Sequence, residues 1–419
     1  MLRVGLYLKL ESVLEFVMIP RRRMPIERRD VAEWLRAVRH PHRDTHTDVL
    51  RFEKAFAEYV GCAFARATAS GRDAIELAMD AVRVKPGDEI IVPAFTLGEL
   101  MPLLQAKGFR PVPADVEEDT FNMDVRCVAA RIGPRTRAIL ATHLLGAPCD
   151  IQAICELARR HGIAVVEDCA HALGATVSGR KVGSFGEAAI FSFEVNKAVP
   201  TYGGGIVVTN NPDIAASVGS ILDARPRTER PALKKARSRW IEECLIRSPF
   251  YGVLARIIFS ERFATRFERF YRGSHDRQRA IATAYSGFQA RLGLARLARV
   301  DARNERLNRL WDELARRLPA AFKSQKRDRV GQPAFYNFVV VSAVEPAVLR
   351  RRALRCGLDI GIGTEVMDDC GRLLGAQDCP VATRLAERVV LLPLYDGLSR
   401  RRFERLVSVL NQLASGEGT

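Results

Sequence analysis

The sequence predicts an α/β fold: a large domain with a mostly parallel sheet flanked by helices, then a smaller C-terminal α/β domain. Three observations predict it. Six short β-rich runs alternate with helical stretches between residues 89 and 209. That alternation is how parallel strands joined by crossover helices read in sequence. A long helical pattern over 286–318 then precedes a second, smaller α/β segment at about 335–410. The chain has 419 residues, 47% of them hydrophobic, which is enough to bury a sizeable core. The expected bounds are an N-terminal extension over 1–24, a large domain over 25–320 and a small domain over 321–419.

Taken in order, residues 1–19 are apolar but broken by Lys9, Glu11 and Glu15. They lack the clean apolar run and small-residue cleavage site of a signal peptide. An over-long start, with Met18 or Met24 the real beginning, is preferred to a short amphipathic helix. Residues 50–82 read as helix, loop, helix, with Ala67–Gly71 small and polar between two amphipathic stretches. The strands expected are Glu89–Val92, Pro111–Asp115, Ala138–Thr142, Ala164–Glu167, Ala188–Phe193 and Ile206–Thr209. Helices lie between several of them, for instance Ile151–His161. The Pro- and Arg-rich stretch Arg225–Arg237 reads as a loop. Arg239–Gly273 reads as one or two basic helices, with an apolar component running from Trp240 to Phe270.

Nine cysteines are scattered with no CxxC spacing. This argues against a zinc ribbon, a redox pair and a disulfide framework, and fits a reducing, cytoplasmic setting. No segment approaches the roughly 18 apolar residues of a membrane span.

The chemistry sits in two stretches. In Val165-Val166-Glu167-Asp168-Cys169-Ala170-His171, an apolar strand ends on Asp168. Ligands bind at that edge of open α/β sheets. In Phe191-Ser192-Phe193-Glu194-Val195-Asn196-Lys197, a lysine follows a strand of the same type. A lysine in a partly closed pocket can form a Schiff base with an aldehyde. A carboxylate nearby can pair with a protonated pyridine nitrogen, so the two together fit pyridoxal phosphate. Either residue alone is more often a solvated surface charge; the joint placement carries the reading. Upstream, Ser70-Gly71-Arg72-Asp73 opens a helix. Its free N–H groups, with a glycine allowing close approach, can cup a phosphate. Taken alone, Ser70 is more simply an N-cap. Phe95 follows a strand and can stack on a ring, or be a core aromatic.

These segments resemble the DegT/DnrJ/StrS family of pyridoxal-phosphate-dependent sugar aminotransferases, of fold-type I. The match covers most of the chain outside the first 25 residues and 225–280. The resemblance implies Lys197 as the Schiff-base lysine and Asp168 as the partner of the pyridine nitrogen. It implies His171 near the ring hydroxyl, Ser192 on the phosphate, Gly71 and Arg72 in the phosphate turn, and Phe95 stacked on the ring. It further implies a homodimer and a two-step amino transfer from L-glutamate to a nucleotide-linked keto sugar. Two departures stand out. The family's phosphate-binding Asn before the Gln289-Ala290 helix is replaced within Ala282-Thr283-Ala284-Tyr285. The family's His-Tyr-Pro after Gly361-Ile362-Gly363-Thr364 is replaced by Glu365-Val366-Met367-Asp368. The alternatives are a catalytically idle protein of this fold acting as a membrane-associated or regulatory partner, and an aminotransferase for a non-sugar or lipid-linked ketone.

The net charge of +16 is local. Residues 225–330 hold 27 Lys and Arg against 11 Asp and Glu, and the rest of the chain balances. No nucleic-acid motif accompanies this charge, so nucleic acid is not expected. A solvated helical face or subunit surface is the plainest reading. Arg forks for a phosphorylated substrate are another. The third is peripheral contact with an anionic membrane through 225–280, because bulky apolar residues alternate with Arg there.

Overall fold

The computed structural model describes residues 18–40, 46–258 and 283–415. Its centre is a seven-stranded sheet. The strands are β1 (Phe64–Thr68), β2 (Glu89–Pro93), β3 (Arg110–Ala114), β4 (Thr136–Thr142), β5 (Ala164–Asp168), β6 (Ala188–Ser192) and β7 (Gly205–Thr209), in the order β1-β7-β6-β5-β4-β2-β3. Strands β3, β2, β4, β5 and β6 run parallel, and β7 runs against both of its neighbours. Strands β2, β4, β5, β6 and β7 are rich in Val, Ile, Leu and Ala because both faces are covered. On one face Leu140, Val166 and Ile190 meet Ala74 and Ala78 of the helix Gly71–Ala81. On the other, Ile139, Val165 and Phe191 meet Phe56 of the helix His46–Val60 and Ile154 of the helix Ile151–His161.

A second, antiparallel sheet of four short strands lies between Phe322 and Leu392. It packs on the helix Arg400–Ser415 through Phe403, Leu406 and Leu410. Phe95–Thr96 pairs with Asp368–Asp369 and so ties this part to the large sheet.

The structure corrects three expectations. First, β1 falls inside the stretch read as helix, loop, helix. Its five residues carry little local β signal; pairing with β7 makes the strand, and Glu53 accepts the Ala67 N–H at 2.7 Å. Second, 286–318 is two helices, Gly287–Leu297 and Val300–Arg316. No Gly or Pro marks the break; Arg299 turns out to pair with Glu27. Third, most of Arg225–Arg237 is not a loop, because a helix spans Arg230–Arg247. Pro231 sits in its first turn, where its missing N–H costs nothing. Ala232 and Ala236 are buried beside Trp240, whose ring lies 5.9 Å from that of Trp34. A helix Tyr251–Ile258 follows; the rest of the expected basic helices, 259–273, lies outside the described residues.

Met18 and Ile19, within the expected extension, are buried. Ile19 exchanges backbone hydrogen bonds with Gly357 and Asp359. Among the described residues, no helix is long and apolar enough to cross a membrane.

Candidate active site

Three adjacent parallel strands end in polar side chains on one face: Thr142 on β4, Asp168 on β5 and Ser192 on β6. Side chains alternate along a strand, so these three share the face of Leu140, Val166 and Ile190. This is also the face covered by the helix Gly71–Ala81. A row of polar termini therefore meets the N-terminus of a helix.

The turn at that N-terminus is built for close approach. A Cβ on Gly71 would lie 2.9 Å from Ser192 Cβ, so only glycine lets the strand end and the helix start meet. Ser70 is the N-cap expected, its Oγ accepting the Asp73 N–H at 3.1 Å. The first N–H groups beyond it have no partner within the helix. Arg225 holds Asp73 in a two-pronged pair at 2.6 and 2.8 Å. This offsets the one carboxylate in the turn. Arg72 does not turn into the cup; it pairs with Glu99 at 3.0 Å.

Asp168 is buried, and Oδ1 accepts the Ala170 N–H at 3.0 Å. Burial raises its pKa, and Lys197 and His143 only partly offset this. Such a carboxylate calls for a cationic donor. His171 is held well below its usual pKa by burial and by the charge of Lys197. It is therefore neutral. Its Nδ1 accepts the Leu145 N–H at 3.4 Å, which leaves the proton on Nε2 as a donor. Lys197 Nζ donates to Tyr336 Oη at 3.2 Å. Phe95 is fully buried, edge-on to Phe121, in the apolar cluster that also holds Leu145 and Tyr336.

Thr142, Tyr336 and Lys235 join the site without having been expected. Thr142 Oγ1 is buried with no hydrogen-bond partner. Lys235, from the basic helix, reaches Glu194 at 2.6 Å and passes 3.1 Å from where a Cβ on Gly203 would be. Burial would raise the Glu194 carboxyl, but Lys235 overrides it and holds it at about 2. Behind Asp168, Glu167 accepts N–H groups of Gly183, Phe185 and Gly186 and lies 3.1 Å from His143 Nε2. With Cys169 this group has the composition of a metal site. The carboxylate is already engaged, so its role is to brace the strand.

The two departures have structural uses. Tyr285 fills the space beside Gly204, where a Cβ would lie 2.3 Å from its ring, and bonds Thr201 at 2.8 Å. Glu365 is taken up by Arg350 and Arg21, and Asp368 accepts the Gly98 N–H at 2.8 Å. Ala282 lies outside the described residues.

The sequence profile of the DegT/DnrJ/EryC1/StrS aminotransferase family matches residues 26–230. A dTDP-3-amino-3,4,6-trideoxy-alpha-D-glucose transaminase of Micromonospora megalomicea is 30% identical over 88% of this chain and 90% of that protein. The chain belongs to this family. A GDP-perosamine synthase of Caulobacter vibrioides is 45% identical, but that match spans 41% of this chain and under half (46%) of the relative. Among solved structures, DesV of S. venezuelae in complex with a ketimine intermediate is 26% identical. It superposes with a TM-score of 0.71 over 92% of this chain and 94% of that one. Family membership makes the chain a fold-type I, pyridoxal-phosphate-dependent aminotransferase by class. The residues fit that cofactor: the Gly71–Ser192 cradle for its phosphate, Asp168 for its ring nitrogen, and Lys197 for its aldehyde.

Proposed function

We propose that this protein moves an amino group, from L-glutamate, to the keto group of a nucleotide-activated sugar or related acceptor, through Lys197. The observation that carries it is the convergence of Asp168, Ser192, Lys197 and a glycine-opened helix N-terminus at one sheet edge. The relatives named above act on nucleotide sugars, and this supports that acceptor class.

When bound, pyridoxal phosphate supplies the electron sink that makes a C–H beside the amino nitrogen acidic. The protein's residues do the rest. The first-turn N–H groups of the Gly71–Ala81 helix and Ser192 Oγ receive the phosphate. Asp168 would place a negative charge toward the ring nitrogen and so favour its protonated form. His171 would offer its Nε2–H to the ring hydroxyl, and Phe95 would lie against the ring. Lys197 would hold the aldehyde, and its free amine would take up a proton as a base and give it back as an acid. A homodimer in the cytoplasm completes the proposal.

The test is optical. Protein loaded with pyridoxal phosphate should show a visible band. L-glutamate should bleach it with release of 2-oxoglutarate, and a keto-sugar nucleotide should restore it. If the protein binds no pyridoxal phosphate, the reading collapses.

A second element concerns location. Ile241 and Leu245 on the helix Arg230–Arg247, Phe250 in the turn after it and Val253 on the helix Tyr251–Ile258 are 59%, 52%, 75% and 56% exposed. Exposed Arg230, Lys234 and Arg237 share the first of these helices. This combination supports peripheral contact with an anionic membrane, which would make a lipid-linked ketone a candidate acceptor.

A further inference from the structure

We infer that Tyr336 is a positioning residue for Lys197, the resting place of its amine whenever it is not bonded to cofactor. The inference rests on the aminotransferase reading above. Tyr336 lies in the segment leading into the strand Phe338–Ser342 of the smaller sheet, 139 residues from Lys197. The chain just before it is clamped to the large domain, because the Ala334 N–H donates to Gly146 O at 3.0 Å. Gly146 has φ +91°, and a Cβ there would lie 2.3 Å from Ala334 O. Only glycine allows this approach.

The ring is then held from two more sides. It stacks on His171, with centroids 3.9 Å apart and planes 15° from parallel. Its Oη accepts the Asn196 Nδ2–H at 2.8 Å and the Lys197 amine at 3.2 Å. The amine also sits 4.5 Å from the ring centroid, within range of the π face. A phenol oxygen has two acceptor positions and one proton to give. Two N–H donors occupy both acceptor positions. Toward Lys197 the oxygen is therefore an acceptor. A lysine stem is flexible, so an amine released from cofactor would otherwise sample the whole cleft. Tyr336 keeps it beside His171. His171 lies flat against the phenol ring, so its Nε2–H does not point at the same acceptor.

Tyr336→Phe keeps the ring and removes only the oxygen. The readout is the single-turnover rate at which protein loaded with pyridoxamine phosphate, whose Lys197 amine is free, regains the visible band on adding 2-oxoglutarate. That rate should fall about tenfold, because the free amine loses the acceptor that holds it. Asn196→Ala, which frees one side of the phenol, should lower it by less. It also keeps the test open if Tyr336→Phe does not fold. Turnover of Tyr336→Phe should fall about tenfold, with KM for the amino donor within about twofold. An intact band with single-turnover rates within about twofold of wild type in both variants overturns the inference. A wild-type protein without a band that Lys197→Ala removes overturns the aminotransferase reading itself.

Discussion

Thr142 and Asp168 stand in register as the last residues of neighbouring parallel strands, with side chains on the same face of the sheet. The hydroxyl is buried without a partner, and the carboxylate beside it is buried with one backbone N–H. An unpaired buried hydroxyl costs about 1–3 kcal/mol. Thr142→Val should therefore raise the stability of the cofactor-free protein by about 1 kcal/mol. It should also shrink the added stability that pyridoxal phosphate confers. Thermal melts of both proteins, with and without cofactor, check this.

Lys197→Ala should abolish the visible band and cut transamination by about three orders of magnitude or more. Asp168→Asn should keep the fold, because it removes a desolvated charge. Its turnover should fall by about two to three orders of magnitude, since a neutral amide cannot hold a ring nitrogen protonated. Absorbance spectra and single-turnover rates separate the two variants.

Gly71→Ala tests the phosphate cradle. Its Cβ would press on Ser192 at 2.9 Å, and the strand end and helix start must part. Affinity for pyridoxal phosphate should fall about tenfold or more, roughly 1.4 kcal/mol. Equilibrium dialysis measures it, with a Gly61→Ala protein as control. No atom lies within 4 Å of a Cβ at Gly61, although its φ of +86° carries its own strain.

Glu53 makes stability depend on pH. Burial pushes its carboxyl up to about 7, against the Ala67 N–H and Arg66. A raised folded-state value means the stabilisation is full below the ordinary value near 4.5. It is lost as pH rises through about 7. The loss is on the order of 3 kcal/mol. Glu53→Gln keeps an acceptor for Ala67 without the charge. Its melting temperature should match wild type near pH 4 and exceed it above pH 7. Equal pH profiles for the two proteins would count against a titrating Glu53.

The two basic helices make the membrane reading testable. Wild-type protein should sediment with phosphatidylserine vesicles and not with phosphatidylcholine vesicles. Leu245→Asp with Phe250→Asp should weaken that binding about tenfold or more. Equal partitioning onto both lipids, or onto neither, would remove the membrane from the proposal.

Much of the site was legible because its signals are local. Asp168 and Ser192 close apolar strands whose alternation puts them on a known face, and Ser70 caps a helix that its own neighbours specify. Strands β2 and β4 to β7 announce their burial on both faces as runs of apolar residues. What stayed hidden depends on distant partners. Nothing around Phe64–Thr68 marks a strand until β7 lies beside it. Nothing around Tyr336 points to a lysine 139 residues away.

By itself the sequence determined the α/β order, the sheet edge that carries the candidate site, and the residue types there that suit pyridoxal phosphate. Periodicity, capping and strand termination act over a few residues, and one chain carries them in full. Tertiary structure alone decided four pairings. It turned Arg72 away to Glu99, and it brought Arg225 to Asp73 and Lys235 to Glu194. It also delivered Tyr336 to Lys197 through the Gly146–Ala334 contact. These depend on close packing between segments far apart in the chain, where a single Cβ decides what can meet.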